Sequence, residues 1–113
     1  MTDKELLELA AKAAELKLLS WSVMFDGQEA AFVFNGDVAE TWNALTDDGD
    51  ALRLAVKLRL EMYQSLNCGL WTVFVGHPKD GRIVYVAEQA GDDVLAATRR
   101  AIVRAAAEIG KIL

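Results

Sequence analysis

Few residues of this chain could do chemistry. There is one histidine, His77, one cysteine, Cys68, an acidic string at Asp47, Asp48 and Asp50, and an arginine ridge at Arg99, Arg100 and Arg104. An imidazole changes charge near neutral pH and serves as a general base; a thiolate is a nucleophile. The two must lie within hydrogen-bond reach to act together. His77 belongs to His77-Pro78-Lys79-Asp80-Gly81, a string with the chemistry of a hairpin loop, and Cys68 to the turn Asn67-Cys68-Gly69. The strand 70–75 between them separates the two by roughly 17–20 Å at ordinary strand rise. A Cys68–His77 pair is therefore disfavoured, and Cys68 reads as an inert turn thiol. One histidine and one cysteine also fall short of the ligands that most zinc sites need. No glycine-rich phosphate loop, CxxC, HExxH or GxSxG string is present.

Asp47, Asp48 and Asp50 carry oxygens of the kind that calcium or magnesium accepts, but their spacing does not fit an EF-hand loop. Capping of the helix that follows accounts for all three, because acidic side chains favour the positive helix end. Arg53 and Lys57, one and two turns on, are placed to neutralise them. Arg99, Arg100 and Arg104 would suit a phosphate or an acidic partner. The simpler reading is a solvated helix face in the half where cations offset the dipole, with Glu108 spaced to pair with Arg104. Tryptophan is enriched at contact hot spots; Trp71, in a strand, reads as core and Trp42 as half-buried. The candidate interaction surface is Trp42, Asp47, Asp48, Asp50, Arg99, Arg100 and Arg104. No catalytic, cofactor-binding or metal-binding set is assigned.

The elements that must position these residues follow from period and punctuation. Residues 2–17 predict an amphipathic helix, capped at Thr2 or Asp3 with Glu5 in capping-box register. In residues 18–25, alternation places Leu19, Trp21, Val23 and Phe25 on one buried strand face. Asp26-Gly27 reads as a turn, 30–34 as the returning strand, and Asn35-Gly36-Asp37 as its end. Residues 38–46 carry no clear period. Residues 50–63 predict a helix with apolar residues around most of its circumference, Met62 and Tyr63 included; Arg53, Lys57 and Glu61 form its polar stripe. Leu70–Val75 and Arg82–Glu88 predict a second hairpin around a five-residue loop. A final helix, 93–109, is ended near Gly110 and turns Val94, Leu95, Thr98, Ile102, Ala105, Ala106 and Ile109 to the core. The expected fold is α+β, a single domain over 1–113 in the order α-β-β-α-β-β-α, with a four-stranded antiparallel sheet and helices on one face.

Composition bounds the function classes. The 113 residues leave room for one core. At 53% hydrophobic, with one proline and a mean hydropathy of +0.17, the chain is not of the disordered class. A net charge of −5 fits poorly with general coating of nucleic acid, where phosphate neutralisation dominates affinity. A lone cysteine and a charged N-terminus, Asp3-Lys4-Glu5, point to a reducing cytoplasm. No apolar run approaches the roughly 18–20 residues that span a bilayer, so no membrane is expected.

Two strings, Trp42–Val56 (WNALTDDGDALRLAV) and Ala97–Gly110 (ATRRAIVRAAAEIG), resemble a family of small uncharacterised proteins encoded by tailed phages and prophages of proteobacteria. Ala44 stands where that family has proline. The resemblance implies a phage or prophage origin and a host-cytoplasm setting, and implies no activity.

The expected function is that of a non-enzymatic phage accessory protein acting by protein–protein contact, with a host protein as partner and no cofactor. One alternative is a nucleic-acid-associated protein using the Arg99, Arg100 and Arg104 ridge. Another is a small enzyme with a site near His77 or the Asp47–Asp50 turn, which a cavity lined by titratable groups at either place would favour. Surplus apolar surface on the helix 50–63 and on the final helix (Ile102, Val103, Ile109, Ile112, Leu113) predicts a C2 homodimer.

Overall fold

Thr2 opens the first helix: its hydroxyl accepts the Glu5 N–H at 3.2 Å, and α1 runs Asp3–Ala13. The chain then continues as β1 (Lys17–Val23), β2 (Glu29–Asn35), β3 (Val38–Trp42), α2 (Asp48–Leu58), β4 (Glu61–Asn67), β5 (Leu70–Lys79), β6 (Arg82–Gln89) and α3 (Val94–Lys111). This computed structural model describes residues 1–23, 27, 29–35 and 38–113. Asp26 of the first expected turn, and Gly36 and Asp37 of the string expected to end the first hairpin, lie outside them, as does Phe25.

The α+β class is as expected, but the single four-stranded sheet is not. Among the described residues there are two separate three-stranded antiparallel sheets, β1-β2-β3 and β4-β5-β6. The two additional strands are β3, in the stretch without a clear period, and β4, which the sequence reading absorbed into the helix 50–63. The reason lies in how the helices stop. Both α1 and α2 close with a residue in the left-handed region, but that residue is Glu15 (φ 59°) and Arg59 (φ 53°) rather than glycine. Leu16 N–H returns to Ala11 and Leu60 N–H to Ala55, satisfying the last carbonyls in a Schellman pattern. Without a glycine to mark the stop, the apolar period of α2 reads straight on into Met62 and Tyr63, which belong to β4. The helix that looked apolar all round is 11 residues long, Asp48–Leu58, followed by a strand.

The second hairpin pair also turns more tightly than expected. Cys68 and Gly69 (φ 53° and 78°) join β4 to β5, and Asp80 and Gly81 (φ 52° and 78°) join β5 to β6. Positive φ at both central residues is the two-residue type I′ turn, whose twist matches the strands. The expected five-residue loop is therefore two residues, and His77 lies within β5, opposite Val84. Pro78 is accommodated because β4 pairs only as far as Gly76, leaving one side of β5 unpartnered there. In β1 the register shifts between Leu18 and Ser20, so the expected buried row breaks and Leu19 is exposed; Val23, at the end of the strand, is 69% exposed.

Sheet and helices form two layers. The shortest dimension is 23 Å, which suits one sheet layer and one layer of helices about 10 Å across. α3 is the central element of the helix layer, packing against α1, α2 and the strands β5 and β6. Its buried residues are Ala101, Ile102, Val103, Ala105, Ala106, Ala107 and Gly110. Val94 and Leu95, expected in the core, are exposed at the helix start. Val103, expected to add to the surplus apolar surface, is fully buried, whereas Ile112 and Leu113 are exposed. Gly110 does not end α3 but lies inside it. There α1 passes so closely that a Cβ on Gly110 would lie 2.8 Å from the carbonyl carbon of Leu9.

Candidate functional site

The acidic string and Arg99, the first residue of the arginine ridge, meet in one place, the turn between β3 and α2. Asn43 is its hub. Its backbone N–H donates to Asp50 Oδ2 at 3.0 Å, its side-chain amide donates to the Glu29 carbonyl at 2.6 Å, and its Oδ1 accepts from Leu45 N–H at 3.0 Å. Asp47 caps α2 by accepting the Asp50 N–H at 2.9 Å. Asp50 is itself buried, and its second oxygen accepts from Arg53 at 2.7 Å. Arg53 is held above its ordinary pKa chiefly by that hydrogen bond. From α3, Arg99 reaches across to donate to the Leu45 carbonyl at 2.8 Å and to Asp48 at 2.6 Å.

Each candidate surface residue therefore has a structural employment. Asp47, Asp48 and Asp50 are a cap, an ion-pair partner and a buried acceptor. Arg100 pairs with Asp3 at 3.1 Å and Glu88 at 3.2 Å, and Arg104 with Glu88 at 3.4 Å and the Ala87 carbonyl at 3.0 Å. The ridge is thus tied to β6 and α1 rather than solvated as a free row of cations, and Glu108 pairs with Lys111 instead of Arg104. Trp42 is not a surface residue: it is 5% exposed, on the helix-facing side of β3 opposite Ala31. Trp71, read as core, is 45% exposed: it lies near the start of β5, whose buried residues begin at Val73. Asn43 escaped the sequence reading; an asparagine between a strand and an acidic cap is the signal of an Asx turn.

Of the cavities lined by titratable groups, two lie near the places that the sequence offered for a site, the Asp47–Asp50 turn and His77. One, about 200 Å³, lies between Trp42, Glu40, Asp50, Arg53 and Lys57. The other, about 200 Å³, lies where β5 meets the end of α3, among His77, Lys79, Glu108 and Lys111. His77 is 3% exposed, and its Nδ1 is buried without a hydrogen-bond partner. Glu108 is held below the usual carboxylate range, first by its bond to Lys111. Cys68 is exposed in its turn, at the far end of β5 from His77. Among the described residues no group of three His, Cys, Asp or Glu side chains is placed to hold a metal ion.

The open surface lies elsewhere, on the face of the β4-β5-β6 sheet turned away from α3. Tyr63 stacks on Phe74 with ring centroids 4.8 Å apart and meets Tyr85 edge-on at 5.5 Å. Gly76 sits beneath Ile83 and Tyr85, where a Cβ would meet both side chains. The missing side chain lets Tyr85 lie across β5 and donate to Glu61 on β4 at 2.6 Å. Tyr63, Ile83 and Tyr85 are each more than 40% exposed. The bond to the Glu61 carboxylate raises the Tyr85 pKa above 10.0, because ionisation would lose it and set two anions together. Its contribution to stability is present below pH 10 and lost as pH rises through the folded value. Near-ultraviolet titration is expected to show Tyr85 ionising above 10.0, with a lower midpoint in Glu61→Ala.

Compared with protein-family models, curated proteins and solved structures, the chain matches none. Among the described residues no helix is long and apolar enough to cross a membrane.

Proposed function

We propose that the protein is a non-enzymatic accessory protein of phage or prophage origin that acts by protein–protein contact in the host cytoplasm. The observation that carries this reading is the platform of Tyr63, Phe74 and Tyr85 with Ile83 beside them, an apolar surface on the β4-β5-β6 sheet. Aromatic side chains supply large contact area at low conformational cost. The acidic string Asp47, Asp48 and Asp50 and the ridge Arg99, Arg100 and Arg104, which could serve chemistry or phosphate binding, are engaged in the β3–α2 turn and in fixing α3. The resemblance of the strings 42–56 and 97–110 supports the origin, and those strings meet through Arg99. A net charge of −5 steers the protein toward basic host surfaces. Affinity capture from a proteobacterial host lysate, at low and at moderate salt, tests the reading. A discrete protein partner is expected at both salts; capture of nothing at either counts against it.

The His77 cavity favours a second reading, a small enzyme or small-molecule site, since a buried imidazole with one unpartnered nitrogen beside Glu108 and two lysines is the kind of cluster that chemistry uses. Equivalent behaviour of His77→Gln and the parent chain in every capture and turnover assay would remove it.

A further inference from the structure

We infer that the free edge of β4 pairs with the β4 of a second copy, antiparallel about a two-fold axis through Gln64. This pairing is separate from the host contact proposed above and shares with it only the β4-β5-β6 sheet. The argument begins with the edge itself. β4 is hydrogen-bonded to β5 on one side only. It lacks proline, lysine and a register shift, the devices that usually protect an edge. The edge of β1, by contrast, is broken by its bulge.

The turn fixes which groups are free. In a two-residue hairpin, Asn67 and Leu70 exchange both backbone hydrogen bonds, and such pairs recur at every second position. Residues 61, 63, 65 and 67 therefore bond to β5, and Met62, Gln64 and Leu66 turn their N–H and C=O groups outward. The Ala90 N–H that bonds to the Trp71 carbonyl agrees with this alternation on β5. The same three side chains share the helix-facing side of the sheet, where α3 does not reach: Met62 is 45% exposed and Leu66 is 53% exposed.

An antiparallel pair centred on Gln64 uses all of these groups at once. Met62 opposes Leu66 of the second copy, Gln64 opposes Gln64, and Leu66 opposes Met62, each a reciprocal hydrogen-bonded pair. Moving the axis to Tyr63 or Ser65 loses a pair and sets Gln64 against Met62 or Leu66. The charge pattern agrees, because Glu61 is the one charged residue of β4 and this register places it opposite Asn67 rather than another carboxylate. The result is a continuous six-stranded sheet, with Trp71 beside the new apolar seam.

Light scattering on the full chain at micromolar concentration is expected to report twice the chain mass of 12.4 kDa. Leu66→Lys should return it to one chain mass with unchanged circular dichroism, since the side chain is exposed. In a Cys68→Ser background, Gln64→Cys should form a covalent dimer under air oxidation, the Cα separation of such a pair, about 5.5 Å, being suited to a disulfide; Thr41→Cys in the same background should not. One chain mass at all concentrations overturns the inference, and so does a dimer that survives Leu66→Lys. A monomer that still captures a host protein overturns the second copy while leaving the contact function standing. A dimer that captures nothing does the reverse.

Discussion

Gly110→Ala is expected to lower the unfolding free energy by about 3 kcal/mol, near the upper end of ordinary overpacking costs. The sign is what makes this informative. In an unencumbered helix interior the same change stabilises by about 0.5–1 kcal/mol, because alanine has less backbone freedom to lose. Here the added methyl would meet the main-chain carbonyl of Leu9, not the movable tip of a side chain. Relief requires α1 and α3 to separate, and their contact is lined with alanines that cannot fill a gap: Ala10 and Ala14 are at most 1% exposed, and so are Ala106 and Ala107. Urea denaturation of the two chains measures the difference. A stabilised alanine variant would show that the helices do not approach as described.

Asp50→Ala is expected to cost about 2–3 kcal/mol, with a fall in Tm of about 10 °C or more. The ion pair with Arg53 is a minor part, because the Arg53 side chain is 68% exposed and such pairs are screened. The larger part is the Asn43 N–H, left without its acceptor in a half-buried turn, for about 1–3 kcal/mol. Loss of an acidic group from the first turn of α2 adds about 0.3–1 kcal/mol. Asp50→Asn retains an acceptor oxygen and should lose less than half as much. Calorimetry on both variants separates these contributions; equal losses would place the cost on the charge rather than on the N–H.

Two helix starts were legible because their caps are chemical signals: Thr2 and Asp93 each accept an N–H three residues on; α2, expected from residue 50, starts two residues earlier with Asp47 as its cap. The reading of 50–63 failed for want of such a signal. Arg59 in the left-handed region looks like any helical arginine, and Met62 and Tyr63 continue the apolar period by coincidence. β3 was obscured for a related reason, since Glu40 and Thr41 interrupt its alternation on an edge strand. The hairpin tip at 77–81 misled in the other direction. Its turn-forming residues suggested a long loop, but Pro78 lies at a strand position with one free side, and Asp80-Gly81 suffices to turn the chain. That misplaced His77 from solvent to the interior. Of the acidic string, for which capping accounted for all three residues, Asp47 alone is the cap; the ties of Asp48 to Arg99 and of Asp50 to Asn43 depend on contacts 51 and 7 residues apart, beyond the reach of local patterning. The aromatic platform was invisible for the same reason: Tyr63, Phe74 and Tyr85 come together only through the register of three strands.

In the function proposed above, contact is made through the open face of the β4-β5-β6 sheet, while Arg99, Arg100 and Arg104 serve the fold. The most direct test captures host protein in parallel with the parent chain, with Ile83→Lys and with Arg100→Ser. Ile83 is 44% exposed on that face, so the lysine alters the surface without entering the core. Capture by the parent and by Arg100→Ser, with loss in Ile83→Lys, is the predicted result. Capture retained by Ile83→Lys and lost in Arg100→Ser would contradict it and place the contact on the arginine ridge.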